Sequence, residues 1–108
     1  MVPVQRQRDI VFRAIADPTR REILGLLRAR QQTVGEIAEN FSMSRPAISK
    51  HLRLLRSAGL VVSRRQGTTS CCSLNARPLR AVNQWLSEYE SFWAETLHGL
   101  KSFVEKQK

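Results

Sequence analysis

Acidic residues are missing from the middle of this chain. None occurs between Glu39 and Glu88, although the 108 residues as a whole carry 18 basic and nine acidic side chains and a net charge of +9. The basic residues of that interval are Arg45, Lys50, Arg53, Arg56, Arg64, Arg65, Arg77 and Arg80. A segregated basic field predicts a polyanionic partner, either a nucleic acid or an anionic membrane surface.

Long apolar runs are also missing. No stretch approaches the roughly 18 residues that a membrane span requires. The N-terminal MVPVQRQRD lacks the apolar core of a signal peptide. Both absences argue against a membrane partner and predict a cytoplasmic protein that binds nucleic acid.

Cysteine is scarce, since Cys71 and its neighbour Cys72 are the only two. Adjacent residues are poorly placed for an ordinary structural disulfide, so we expect reduced thiols. On a strand they alternate, which predicts Cys72 facing the core and Cys71 facing outward.

The sequence also shows no nucleophile with a base and an orienting acid, no phosphate-binding loop and no cluster of metal ligands, which argues against an enzyme and predicts no cofactor.

Helix-start signals divide the chain. Asp17 can cap a helix with Pro18 in its first position, Thr33 and Glu36 have capping-box spacing, and Ser44 can cap a further helix. Together with the apolar spacing, they predict one domain over 1–108 that is mainly α with a small β-hairpin. The predicted elements are helices over 5–16, 18–30, 34–41 and 44–58, a hairpin over 60–74 and a helix over 76–106.

The 44–58 helix has two different faces. At about 100° per residue, its apolar side carries Ala47, Ile48, His51, Leu52, Leu54, Leu55 and Ala58. Its other side carries Arg45, Pro46, Ser49, Lys50, Arg53, Arg56 and Ser57. Such a helix packs on a core and presents a cationic, hydroxyl-bearing front to an anion, although a merely solvated basic face is the alternative.

The neighbours of this helix favour the DNA-binding interpretation. Only Ser42 and Met43 separate it from the preceding short helix, which predicts a helix-turn-helix unit. The hairpin that follows turns at Gln66-Gly67 and carries Arg64, Arg65 and Gln66 near its tip, as a wing would.

The last helix has a wide aromatic and aliphatic stripe. A stripe this wide on a terminal helix predicts a partner surface, most simply the same helix of a second copy together with the first helix. The predicted homodimer interface consists of Val11, Phe12, Ile15, Trp85, Tyr89, Phe92, Trp93, Leu97 and Leu100. Packing on the chain's own core, or the lining of an effector pocket, are the alternatives for these side chains.

Two runs of sequence carry a family resemblance. DPTRR at residues 17–21 and S-x-P-A-I-S-K-H-L-R-x-L at 44–55, in this element order, resemble the ArsR family of bacterial winged helix-turn-helix repressors. The resemblance implies a dimer paired through its first and last helices, with the two 44–58 recognition helices in successive major grooves of double-stranded DNA. Position by position, it implies groove contacts from Arg45, Ser49 and Lys50, with Pro46 toward a thymine methyl, and it places the cap residue Ser44 among the DNA-binding residues. It implies phosphate contacts from Arg53, Arg56 and the wing residues Arg64, Arg65 and Gln66.

The sequence departs from the metal-sensing members of that family. Many relatives carry Cys-x-Cys on the third helix, whereas TVGEIAENF here has no thiol. His98 has Glu95 three residues before it but no second imidazole nearby, so one chain does not supply the usual ligand count for zinc or a soft metal. We therefore predict no metal site, while a small-molecule or redox effector, including one acting through Cys71 and Cys72, stays unidentified.

Two functions from different classes follow. The first is a homodimeric, sequence-specific repressor that binds an inverted-repeat operator. The second is a small effector-binding or protein-interaction module, or a nonspecific nucleoid-type DNA binder, whose charge serves only general attraction to polyanions.

Overall fold

Helices and strands follow one another in the order expected for a winged helix-turn-helix domain. The computed structural model describes residues 4–94 and 104 of the chain. Its elements are α1 (Val4–Ile15), α2 (Pro18–Ala29), β1 (Gln32–Thr33), α3 (Val34–Ala38), α4 (Arg45–Ser57), β2 (Val61–Gln66), β3 (Thr69–Leu74), a 3-10 turn (Arg77–Leu79) and α5 (Arg80–Ser87). The predicted mainly helical fold is confirmed, and the structure adds the short strand β1.

Local capping fixes three helix starts where the sequence predicts them. The Asp17 carboxylate accepts from the Arg20 amide at 3.0 Å, and the Ser44 hydroxyl accepts from the Ala47 amide at 3.3 Å. Thr33 and Glu36 form the full capping box, each side chain accepting from the other's amide. Each of these bonds satisfies an amide that the first helical turn leaves without a partner.

The third helix is shorter than predicted. It ends at Ala38 rather than at residue 41, because the amides of Asn40 and Phe41 bond back three residues instead of four, to the carbonyls of Ile37 and Ala38. The Asn40 side-chain amide also donates to the carbonyl of Ile37 at 3.3 Å. These bonds tighten the last turn and stop the α-helix, while Phe41 still packs against the core.

The hairpin turn lies one residue further along than predicted. Gln66 pairs with Thr69, so the two turn residues are Gly67 and Thr68 rather than Gln66 and Gly67. Gly67 has a φ of +65°, which suits a first turn position that favours glycine. The Thr69 hydroxyl closes the turn by donating to the Gln66 carbonyl at 2.8 Å.

The sheet has three strands in the order β1-β3-β2, so β3 is the central strand. Cys71, predicted to face outward, lies outside the core cluster that contains Cys72, but at 9 % exposed it is buried rather than open to solvent. Thr33 of β1 pairs beside Cys71, and the sequence pattern does not predict this second neighbouring strand. The expected inward position of Cys72, which is 0 % exposed, is confirmed.

The core lies between the helices and the sheet. Its most buried side chains come from α2, α3, α4 and the hairpin: Ile23, Ile37, Ile48, Leu52, Leu55, Leu60 and Cys72. Gly59 ends α4 with a φ of +77°, and the amides of Gly59 and Leu60 bond to the carbonyls of Arg56 and Leu55. This is a Schellman motif, and it turns the chain directly from α4 into β2.

The predicted single helix over 76–106 is interrupted in the described part of the chain. A 3-10 turn precedes α5, and α5 ends at Ser87. The amides of Glu88 and Tyr89 bond back three residues to Trp85 and Leu86, which tightens the chain into a turn before helix resumes over 90–94. The rest of the predicted helix, apart from residue 104, lies outside the described residues.

Candidate nucleic-acid interface

Helix α4 separates its apolar and cationic residues as predicted. Ile48, Leu52 and Leu55 are 0 % exposed and fix the helix on the core. Leu54, expected on the apolar side, is 40 % exposed because it lies at the edge of that stripe. On the opposite face Ser44, Arg45, Pro46, Lys50, Arg53 and Arg56 are exposed and Ser49 is half-buried.

Arg45 lies against the neighbouring helix in this structure. A Cβ built on Gly35 would come 3.5 Å from the guanidinium nitrogen Nη2 of Arg45, so the Arg45 side chain lies over the first turn of α3. Arg45 thus bridges the two helices of the helix-turn-helix unit.

Arg56 connects α4 to the base of the wing. Its Nη1 donates to the Ser63 hydroxyl at 3.2 Å, and that hydroxyl lies 3.6 Å from the Cys72 sulfur. Ser63 and Cys72 are opposite each other in the β2–β3 register. The charge of Arg56 is therefore held between α4 and β2, at the inner edge of the wing.

The wing tip presents the three predicted residues to solvent. Arg64, Arg65 and Gln66 are all exposed at the end of β2. The Nε of Arg65 donates to the Gly67 carbonyl at 3.4 Å, which draws this side chain toward the turn. The wing tip is thus a second cationic surface, in addition to the cationic front of α4.

Arg20 has a role that its sequence position does not reveal. The Arg20 guanidinium donates to the carbonyl of Ala14 at 2.6 Å and of Arg13 at 2.9 Å, and contacts Nδ1 of His51 at 3.2 Å. Arg21 donates to two further carbonyls at the end of α1. The DPTRR run thus caps α2 at its start, caps α1 at its end and contacts α4.

Two groups of the DPTRR run meet Nδ1 of His51. A guanidinium has only donors, so the Arg20 contact is a hydrogen bond when Nδ1 carries no proton. The Asp17 carboxylate lies 3.9 Å from the same Nδ1, a separation that counts as an ion pair only for a protonated imidazole. The pKa of Asp17 is lowered, chiefly because its carboxylate accepts from the Arg20 amide. His51 is half-buried, as predicted.

An aromatic surface runs from α1 along α5 into the turn and helical residues at 88–94. It consists of the half-buried Phe12 and the exposed Trp85, Tyr89, Phe92 and Trp93, and we call it the aromatic surface. Successive rings meet at centroid distances of 5.3 Å for Phe12–Trp85, 5.2 Å for Trp85–Tyr89 and 6.4 Å for Tyr89–Phe92. Phe92 is 81 % exposed.

Not every residue predicted for a dimer interface belongs to this surface. Val11 is 4 % exposed and packs in the core of its own protomer, because it is on the inner side of α1, so it is not available to a partner. Ile15 is half-buried and also packs against that core. Leu97 and Leu100 lie outside the described residues.

Two observations bear on other kinds of site. Within the described residues, no three His, Cys, Asp or Glu side chains are grouped so that they could hold a metal ion. In the same part of the chain, none of the helices has the length and apolar character needed to cross a membrane.

A capped helix-turn-helix with a basic outer helix and a basic hairpin beside it defines a winged helix-turn-helix DNA-binding domain. The family model described as bacterial regulatory protein, arsR family, matches residues 17–63. The transcriptional repressor SdpR of Bacillus subtilis is 43 % identical over 79 residues, which cover 73 % of this chain and 88 % of SdpR. The chain belongs to the ArsR family of bacterial transcriptional regulators, which are not enzymes.

Solved structures agree with this assignment. The crystal structure of an ArsR family transcriptional regulator matches with a TM-score of 0.78 and 36 % identity, over 87 % of this chain and 97 % of that one. A possible ArsR-family regulator from Mycobacterium bovis, Mb0332, matches with a TM-score of 0.64 and 29 % identity, over 82 % of this chain and 83 % of that one. Its solution structure is that of a homodimeric winged helix-turn-helix DNA-binding domain.

Proposed function

We propose that this protein is a homodimeric repressor that binds an inverted-repeat operator through α4 and the wing. The observation that carries the proposal is the one-sided character of α4, whose core-facing Ile48, Leu52 and Leu55 are fully buried while its cationic residues are exposed. A basic helix face that is only solvated gives no reason to expect a second basic element beside it. A winged DNA-binding domain uses both its recognition helix and its wing on the same duplex, which accounts for both basic elements. Because such an operator lies in the bacterial chromosome, the proposal implies a cytoplasmic protein.

Base contacts come from the first two turns of α4. Arg45 and Lys50 can donate to the O6 and N7 acceptors of guanine, and Ser49 can donate to or accept from a base edge. Pro46 brings apolar surface toward a thymine methyl, and the Ser44 cap leaves the helix N-terminus close to phosphate. Binding requires Arg45 to leave its position over α3 and extend into the groove.

Phosphate contacts come from the rest of the surface. Arg53 on α4, Arg56 at the inner edge of the wing, and Arg64, Arg65 and Gln66 at its tip lie along the flanking backbone. These contacts supply affinity without sequence information, so operator binding falls steeply with rising salt.

Dimerisation uses the aromatic surface together with Ile15. A contiguous exposed aromatic patch on a small protein is typical of a protein–protein contact, and two-fold pairing is the most common arrangement of small oligomers. The homodimeric structure of Mb0332 and the repressor activity in the name of SdpR support the proposal.

The experiment begins by selecting bound fragments from genomic DNA and measuring affinity for the selected duplex by fluorescence anisotropy. Lys50→Glu and Arg45→Glu should each weaken binding at least about tenfold, because each removes a base contact worth roughly 1–3 kcal/mol. Arg28→Glu, a matched reversal of an exposed charge on α2, should change it little.

Two outcomes would contradict the proposal. Retained affinity of both α4 variants, with the dimer intact by sedimentation, would reject this face as the DNA surface. Equal affinity of the wild-type protein for the selected duplex and for unrelated duplexes would instead favour a nonspecific DNA binder.

A further inference from the structure

An open cavity of about 550 Å³ lies between α1, the C-terminal end of α4 and the start of α5. Its apolar lining is formed by Ile10, Val11, Ala58, Pro78 and Ala81. Small-molecule sites commonly have volumes of roughly 300–1,000 Å³ and combine an apolar lining with a few polar groups. In volume and lining, the cavity is of the kind that holds a small organic molecule.

The polar groups of the cavity are cationic. Arg8 and Arg77 line it from opposite elements, with the side-chain amides of Gln7 and Gln84 beside them, and none of its described lining residues is acidic. Among the described residues, neither guanidinium has a side-chain hydrogen bond or an ion pair. Two uncompensated guanidinium groups at the border of an apolar cavity suit a carboxylate, sulfonate or phosphate attached to an apolar body.

We propose that this cavity binds a small organic anion with an aromatic or aliphatic body, the anionic group lying between Arg8 and Arg77. Apart from Ser57, at the C-terminal end of the α4 front, no residue of the aromatic surface, of the front of α4 or of the wing tip lines the cavity, so it is largely separate from the surfaces used above. The effector site therefore need not be created by dimerisation or by DNA.

The position of the cavity connects it to α4, a step that rests on the proposed function. Ser57, Ala58 and Gly59 form one wall and are the C-terminal end of α4. Pro78 lies against this wall, since a Cβ built on Gly59 would come 3.4 Å from Cγ of Pro78, and the Gly59 carbonyl accepts from the Asn75 side-chain amide at 2.9 Å. A ligand that binds one orientation of α4 more tightly than another shifts the protein toward that orientation. The resulting change in DNA affinity is at most the ratio of the ligand's two affinities.

The test uses two fluorescent probes of similar shape. Anilinonaphthalene sulfonate carries an anionic group, and phenylnaphthylamine is its neutral counterpart. We expect the sulfonate to bind the wild-type protein at least about tenfold more tightly. The double variant Arg8→Gln/Arg77→Gln should lose about tenfold in sulfonate affinity, as expected for weakened charge-assisted hydrogen bonds, and keep its affinity for the neutral probe.

A matched double variant controls for net charge. Arg6→Gln/Arg80→Gln removes two exposed arginines, one on α1 like Arg8 and one at the start of α5, three residues after Arg77. Both lie outside the cavity lining, so this variant should change sulfonate affinity less than twofold. Equal losses in the two double variants, or equal affinity of the two probes, would overturn the proposal. Thermal melts check that each variant is folded, and since all four positions are at least partly exposed, we expect little change.

Operator affinity is then measured with and without saturating sulfonate probe. A change of at least threefold in the wild-type protein that is absent from Arg8→Gln/Arg77→Gln supports the connection to α4. An unchanged affinity despite probe binding overturns that connection alone. A protein that binds the probe as expected but no operator refutes the proposed function and leaves the anion site supported.

Discussion

Arg20 is expected to contribute strongly to stability although it is a charged residue near the surface. Its guanidinium bonds to the carbonyls of Ala14 and Arg13 and to Nδ1 of His51, and so joins the end of α1 to α4. Hydrogen bonds of charged groups contribute roughly 1.5–3 kcal/mol each when buried, and less here because water can replace the more exposed ones. We expect Arg20→Ala to lower the free energy of unfolding by about 2 kcal/mol and the melting temperature by about 10 °C.

Urea unfolding followed by circular dichroism, at one protein concentration, measures this loss. Arg20→Lys keeps the charge but cannot make three bonds in this geometry, so it should lose most of the same stability. Arg28→Ala, which replaces an exposed arginine of the same helix, should stay within about 0.5 kcal/mol of wild type. Equal stability of Arg20→Ala and Arg28→Ala would refute the reasoning.

Three further predictions concern backbone, pH and assembly. In thermal melts, Gly59→Ala should destabilise the fold by about 1 kcal/mol, because residue 59 has a positive φ. Gly25→Ala, in mid-helix with open space around it, should stabilise the fold by roughly 0.5–1 kcal/mol. Stability changes of the same sign in the two variants would contradict this prediction. Because the pKa of folded Asp17 lies below its usual value of 3.8, its charge stabilises the fold above that pH and the effect is lost as pH falls through the lowered pKa. Asp17→Asn, which can still cap, should therefore be less stable than wild type at pH 7, and the difference should shrink as the pH falls below 3.8. A difference that stays constant in acid urea titrations would count against it. Phe92→Glu should weaken dimerisation in sedimentation experiments with little loss of fold stability, because Phe92 is highly exposed. Ser91→Glu, at the neighbouring exposed position, should leave dimerisation unchanged. An unaffected dimer in Phe92→Glu would exclude Phe92 from the interface.

Local chemistry makes much of the fold predictable. The caps at Asp17, Thr33 and Ser44 depend on residues three positions away, so sequence spacing alone specifies them. The two faces of α4 likewise follow from helical periodicity. The burial of Ile48 and the exposure of Lys50 are therefore both predictable from the amino-acid sequence.

Contacts between distant residues are not predictable in this way. Arg20 meets His51 across 31 positions, and nothing near Arg20 in the sequence indicates that partner. Strand β1 has two residues, too short for an alternating pattern, and exists because Gln32 and Thr33 pair with Cys72 and Cys71. The same pairing makes β3 a central strand, which the sequence pattern does not predict.

Methylation protection of guanine N7 on the selected operator tests the central claim most directly. N7 lies in the major groove, where α4 of each protomer is proposed to bind. The account predicts protected guanines in two half-sites about one helical turn apart, with protection weakened in both half-sites by Lys50→Glu. Protection in a single half-site, or a bound complex in which N7 stays reactive throughout, would contradict it.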